Sequence, residues 1–263
     1  VLAGIGLAGI AFGLSVAGLN LLPWPVVAGL VAVGTISMTL YVMHAKRTGS
    51  PVLDFSLLRL STMRASIIGG FLFRLGIGAL PFLLPLLMQE GFGLTPFQSG
   101  LVTFASAVGA MGMKTLAARI IRAFGFRYMM TVNAVISAVF LAACALFTVT
   151  TPLLLIFIIL VVGGFFRSLQ FTAINTVAYA EVEPPQMSRA TTLVSVNQQL
   201  AISAGVAVGA FTVESTMLYQ HATELSAAVF PPAFLVVAII SAVSAWWFWQ
   251  MPDDAGHEIS GRK

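Results

Sequence analysis

The sequence predicts an all-α polytopic membrane protein with about eight transmembrane helices, and three observations carry that prediction. Hydrophobic residues fill 59% of the 263 positions and charged ones only 8%, against about 45–50% and 25% in soluble domains. Apolar runs of bilayer-spanning length, about 17–25 residues, recur along the whole chain. Basic residues gather in or beside every second connection between those runs, and the alternate connections carry none. A mean hydropathy of +0.98 agrees. The stretch "TPLLLIFIILVVGGFF" (151–166) is apolar on every side, whereas a membrane strand alternates apolar and polar residues in segments of about ten. With no water to satisfy the backbone, such runs must be helices.

The expected spans are 1–18, 24–43, 65–88, 96–116, 128–149, 152–180, 190–212 and 231–250. The first, "VLAGIGLAGIAFGLSVAG", lacks an initiator Met and the basic flank of a signal peptide. It reads as the start of a fragment whose N-terminal portion is missing. Its Gly9–Gly13 spacing, like Gly205–Gly209 later, suits close helix packing. After the second span comes the longest polar connection, "HAKRTGSPVLDFSLLRLSTMR" (44–64). Its second half mixes apolar and basic residues as an interfacial amphipathic piece does. Six spans with short connections follow. The chain thus divides into a helix pair (1–43), an amphipathic linker (44–64), a six-helix unit (65–250) and a tail (251–263).

Charge gives orientation. Lys46, Arg47, Arg59 and Arg64 flank the second connection; Lys114, Arg119, Arg122 and Arg127 flank the fourth. Arg189 falls in the sixth, and Arg262 and Lys263 in the tail. The positive-inside rule makes that side cytoplasmic, so both ends of the chain are expected there, in a bacterial inner membrane. The net charge of +4 belongs to these loops and forms no patch for nucleic acid.

Nothing points to catalysis or a cofactor. The single Cys144 lies in an apolar helix, where free cysteine is usually packing, and one cysteine is no metal site. His44, His221 and His257 fall in loops or the tail. No phosphate-binding loop, nucleophile motif or dinucleotide fingerprint is present.

The embedded polar residues carry the functional reading. Arg74 sits near the middle of its span, and an arginine there costs about 2.5–3.5 kcal/mol on insertion scales. It is either half of a structural ion pair or a cation lining an aqueous cavity. Arg167 is the second such case. Ser168, Thr172, Asn175 and Tyr179 then fall at i, i+4, i+7 and i+11, one stripe on a helix, with Gln170 off it. Asn175 and Tyr179 suit cavity lining or helix–helix hydrogen bonds. Asn197 and Gln199, the latter on a face with Ser195 and Ser203, suit packing or substrate contact. Pro81 and Pro85 each remove a backbone donor and are candidate hinges or ordinary kinks.

Three stretches now carry a resemblance: "FRLGIGALPFLLPLLMQEGFGLTPFQSGL", "MGMKTLAARIIRAFGFR" and "INTVAYAEV…SRATTLVSVNQQLAISAGVAVG". The last six helices resemble the C-terminal half of a major facilitator superfamily transporter. Within it the chain is similar to the EmrB/QacA-type drug:proton antiporters of fourteen helices, in their MdtD-like branch. The resemblance implies that 1–43 is the extra inter-half helix pair and that an N-terminal six-helix half completes the protein. It implies a proton-coupled multidrug exporter working by alternating access, with a small-molecule substrate and protons as partners. "RAFGFR" (122–127) resembles the basic gating loop that follows the second helix of a half, which gives Arg119, Arg122, Gly125 and Arg127 that role. The acidic residue usual a few positions earlier is absent from "TLAARIIR".

No Asp or Glu falls within the eight expected spans, with Glu90 and Glu214 assigned to connections. A proton antiporter would then keep its titrating acid in the other half. Two arginines and several amides suit an organic anion, since Arg binds carboxylates bidentately. A di- or tricarboxylate exporter is therefore the second reading. A non-transporting membrane scaffold is the third, and the polar stripes weigh against it.

Overall fold

Leucine, isoleucine, valine, phenylalanine, alanine and glycine make up most of each apolar run, and in lipid the backbone groups find partners only within a helix. The computed structural model describes residues 2–17, 23–45, 53–222, 224–253 and 255–256. Lys46, Arg47, Asp254, His257, Glu258, Arg262 and Lys263 lie outside the described residues. Those described form helices and connections, with no strand among them.

The first two helices are α1, Leu2–Ala17, and α2, Trp24–Ala45. They pack face to face through glycine. A Cβ on Gly34 would stand 2.6 Å from the Ile10 amide nitrogen, so only hydrogen fits there. A rod of 31 residues, Ser61–Gly91, follows. It joins α3 (Ser61–Arg64) to α4 (Gly70–Gly78) through a π turn at Ala65–Gly69, passes Ala79 into α5 (Leu80–Leu86), and ends in a π turn at Leu87–Gly91. Then come α6 (Pro96–Lys114), α7 (Ala117–Phe124), α8 (Phe126–Ala143), α9 (Leu153–Val177), α10 (Met187–Tyr219) and α11 (Pro231–Trp249).

Six helices among the described residues are long and apolar enough to cross a membrane, and α6 with α7 makes a seventh as a span broken by 63°. That gives up to seven among the described residues, and α1, a shorter apolar helix, stands at the remaining expected position. Several boundaries differ, three of them as follows. The rod begins four residues before the expected 65, so Thr62 and Met63 are buried. The stretch after Lys114 is no loop: α7 is an amphipathic helix that turns its Ala117 and Ile121 inward and leaves Arg119 and Arg122 exposed. Third, α10 runs on to Tyr219. The segment from 212 to 219, "TVESTMLY", contains no Gly or Pro to stop it, and Glu is a good helix former. Glu214 therefore lies on α10 rather than in a connection. Glu90 likewise lies in the last turn of the rod. The expectation that no carboxylate falls within a helical span is corrected at both positions.

Helix association in lipid depends on close packing more than on water exclusion, and the bundle shows it. Pairs α6–α9, α8–α11, α4–α10 and α4–α11 form its main contacts. At the α6–α9 crossing, a Cβ on Gly109 would lie 1.8 Å from the Val161 carbonyl and one on Gly164 would lie 2.2 Å from that of Ser106. The backbones touch there. Phe73, Leu83, Met130, Ile174, Phe234 and Phe248 fill the core between the helices.

The linker is a second, smaller core at the basic end. Asp54 caps a short 3-10 turn, Phe55–Arg59, by accepting from the Ser56 amide at 3.0 Å. Leu53 and Leu57 bury with Tyr41 of α2 and with Ala178, Leu193 and Val194. The Leu53 amide donates to the Tyr41 hydroxyl at 2.6 Å, Arg189 pairs with Asp54 at 3.3 Å, and the Ser61 hydroxyl donates to Glu181 at 2.7 Å. Arg189 sits in the first turn of α10, not in a connection.

Candidate functional site

Arg74 lies on α4, thirteen residues after Ser61 and seventeen before Gly91. At 1.5 Å per residue that is about 20 Å and about 26 Å from the two ends of the rod. Its side chain is fully buried. One nitrogen, Nη2, donates to Asn175 Oδ1 at 2.6 Å. The guanidinium also stands 5.7 Å from the Phe171 ring centroid, within cation–π range. Its Nε and Nη1 have no hydrogen-bond partner among the described residues. Gly70, one turn earlier, makes the room, since a Cβ there would lie 3.2 Å from Nη1.

The α9 stripe is thus tied to α4 at Asn175. Tyr179 follows one turn later, half-buried beside the end of α9. Thr172 and Ser168 are satisfied locally: the Thr172 hydroxyl donates to the Ser168 carbonyl at 3.0 Å, and that of Ser168 to the Ala110 carbonyl of α6 at 3.3 Å. Asn197 donates from Nδ2 to the Ile67 carbonyl at 3.0 Å. Ile67 belongs to the π turn Ala65–Gly69, and Ser66 in the same turn donates to the Ile174 carbonyl at 3.0 Å. A π turn widens the helix by one residue and often marks a functional stretch. Here it fastens the rod to α9 and α10, about two turns below Arg74.

The structure does not bring the two arginines into one pocket. Arg167 instead lines a cavity of about 20 Å³ with Ser137, Phe140, Leu141, Cys144 and Gly163, room for a single water. Arg74 is not among its walls. Arg167 forms no ion pair among the described residues, and Ser137 Oγ beside it is unsatisfied. Gln199 faces outward from α10 with Ser195, while Ser203 on the same face is buried.

Pro81 occupies the first turn of α5, where a missing N–H costs nothing. Pro85 lies inside α5. The 61–91 stretch nevertheless continues as one helix past both, and the break above 40° among the described residues lies between α6 and α7.

At the basic end, Gly125 ends α7 with φ 75° and ψ 163°, a backbone that L side chains avoid. Arg127 then opens α8. Its Nε donates to the Trp249 carbonyl at 2.8 Å, its guanidinium covers the Trp249 ring at 4.5 Å, and it forms an ion pair with Asp253. The carboxylate that pairs with this arginine thus comes from the tail after α11.

Sequence reasoning missed one buried network. Asn133 of α8 donates to Gln170 Oε1 at 2.8 Å and to the Phe166 carbonyl at 2.9 Å, and Gln170 Nε2 donates to the Met130 carbonyl at 3.0 Å. Gln170 lies off the stripe because it faces α8. Asn133 was the available signal, an amide within an apolar run.

Comparison with known proteins places this architecture. The family model described as Major Facilitator Superfamily matches residues 66–263. The chain belongs to the major facilitator superfamily. That family consists of membrane transporters rather than enzymes, and the chain is accordingly a multi-pass membrane protein. It is also 30% identical over 243 residues to proteins named "Putative multidrug resistance protein MdtD" from Escherichia coli (strain K12 / DH10B), Escherichia coli O139:H28 and Shigella boydii serotype 18. Each alignment covers 89% of this chain and 50% of the relative, so the chain spans about half the length of the curated relatives it matches.

Proposed function

We propose that this chain is the C-terminal portion of a proton-coupled secondary exporter of the multidrug type. It works by rocking against an N-terminal six-helix half, with residues 1–43 as the inter-half helix pair. The similarity to the MdtD proteins supports the substrate class. The observation that carries the placement of the site is Arg74, a buried cation with two unpaired nitrogens near the middle of its rod. Intramembrane charges of this kind mark substrate or ion pathways, and substrates in repeat-built transporters bind near the bilayer midplane. Asn175, Tyr179, Thr172, Asn197 and Gln199 flank the path, Pro81 and Pro85 give the rod compliance, and Arg119, Arg122, Gly125 and Arg127 form the gate at the cytoplasmic end.

A second reading, export of an organic anion, is favoured by the same unpaired guanidinium nitrogens, which match a carboxylate, and by Arg167. Everted vesicles containing the full-length protein distinguish the two. Gradient-driven uptake of a cationic dye without that of a labelled tricarboxylate is the expected result. Tricarboxylate uptake alone would replace the multidrug reading and make Arg74 a substrate ligand. No gradient-dependent flux of either would overturn both.

A further inference from the structure

Arg167 lies on α9, fourteen residues after Leu153 and ten before Val177. At 1.5 Å per residue it stands about 15 Å from the nearer end of the helix, farther than an arginine side chain reaches. It lines its small cavity with Leu160 and Gly163 of the same helix, in the direction that helical side chains tilt. The facing walls are Ile77 of α4, Leu80 of α5 and Ser137 and Leu141 of α8, so the cavity lies inside the bundle. No Asp or Glu is among its walls, and Arg167 has neither an ion pair nor a hydrogen bond among the described residues. Ser137 is 3% exposed and its Oγ has no partner. Thr131, Thr172 and Thr176 turn their hydroxyls onto the carbonyl four residues earlier, the usual resort of a hydroxyl inside a helix. The Cys144 thiol does the same, donating to the Phe140 carbonyl at 3.5 Å. Ser137 does not, and its hydroxyl remains able to donate into the cavity.

We infer that this cavity is a binding site for one small monoatomic anion, chloride being the common ion of that class. A buried charge needs a partner, and in a membrane-spanning helix the cost of leaving it alone is high. A water would hydrogen-bond to Arg167 and Ser137 but would leave the positive charge uncompensated. An anion accepts from both donors and cancels the charge, and such charge-assisted bonds are about twice as strong as neutral ones. Size decides which anion. The cavity holds about 20 Å³, little more than the roughly 10–15 Å³ that one water needs. A chloride ion is close to water in size, whereas carboxylates, phosphate and sulfate are far too large. The apolar walls favour a weakly hydrated halide over fluoride. Since Ser137 is on α8 and Arg167 on α9, the bound ion ties those two helices together. Arg74 is not part of the cavity, and no organic solute fits it, so the inference stands whichever solute the protein carries.

The test follows thermal unfolding of the full-length protein in detergent while sodium chloride replaces sodium gluconate at constant ionic strength. Gluconate is too large to enter. The unfolding temperature of the wild type should rise with chloride and then saturate, as it does for a ligand that binds only the folded state. Bromide should act in the same way. Arg167→Met, which keeps the volume and removes the charge, should abolish the rise, and Arg167→Lys should retain part of it. Ser137→Ala removes one donor and should move half-saturation to about tenfold higher chloride or more; it keeps the test decisive if Arg167→Met does not fold. No saturable rise in the wild type would overturn the site. So would a rise unchanged in both Arg167→Met and Ser137→Ala, which would be a general salt effect, or one that disappears in Arg74→Met and persists in Arg167→Met, which would put the ion at the other arginine. Unfolding is read without any transport, so a negative result defeats the anion site alone and leaves the exporter to its own vesicle assay.

Discussion

Arg74 has one nitrogen bonded to Asn175 and two with no partner among the described residues, although its side chain is fully enclosed. Burying a charge that is half paired is costly, so stability gives no reason to keep an arginine there. Two substitutions separate its roles. Arg74→Met retains the volume and removes the charge, and such swaps of buried ions are neutral or stabilising by about 1–4 kcal/mol. Unfolding of Arg74→Met in detergent should therefore match or exceed wild type while gradient-driven transport is lost. Asn175→Ala leaves the guanidinium with no hydrogen bond and should lower stability by about 1.5–3 kcal/mol. A destabilised Arg74→Met that still transports would make the arginine structural. At this scale the sequence was legible where spacing alone fixes a face, as in the stripe that carries Asn175. It was not legible where two distant residues meet. The Arg74–Asn175 bond and the Asn133–Gln170 network both depend on how α9 is rotated against its neighbours, which no single helix encodes.

Helical elements were legible wherever apolar length decides, and their ends were not. Sequence pattern puts Glu214 in a connection because a charge next to an apolar run looks like its end, yet a helix stops for want of backbone partners and not for a carboxylate. From sequence the α7 stretch reads as a loop because its basic residues follow a span, while its inward face, Ala117 and Ile121, is too short to register as one. The linker shows how such peripheral pieces are held. Burial by itself would raise Asp54, but hydrogen bonds from the Ser56 hydroxyl and amide and from Arg189 outweigh it and hold the carboxyl below its ordinary value of 3.8. A carboxyl lowered in the folded state contributes stability that is fully present above its unfolded value and lost as pH falls through the folded one. The linker should therefore stay docked near neutral pH and loosen as acid carries it below about pH 4. Amide exchange over 54–60, measured from about pH 6 to about pH 3 after correction for intrinsic rates, should show that loss of protection. Asp54→Asn should already be loosened near neutrality and lack the acid transition. An identical profile in wild type and variant would remove the Asp54–Arg189 pair from the account.

Across the whole molecule the polar surface is unevenly finished. Ser195 and Gln199 on α10 are exposed, whereas Asn197 between them is tied to the rod. In a bilayer an amide facing hydrocarbon lacks the partners that water would give it, so this face of α10 calls for a polar cover. The long apolar side chains Phe97, Leu101, Phe104 and Met111 of α6 are also exposed, but lipid itself satisfies those. The two kinds of surface need different neighbours, and the chain matches only about half the length of the MdtD proteins. A second half set against the α10 amides would satisfy them and enclose the path beside Arg74. Residues 1–263 reconstituted alone into liposomes should therefore insert but carry no gradient-driven flux of cationic dye. Co-expression with the N-terminal half from the full-length protein should restore it. Gln199→Leu should then raise the yield of the isolated 1–263 chain, by removing an amide from lipid, and lower the flux of the completed protein. Flux from 1–263 alone would mean that two copies of this chain cover each other's α10 face, and a cross-link between Gln199→Cys chains would reveal that pairing.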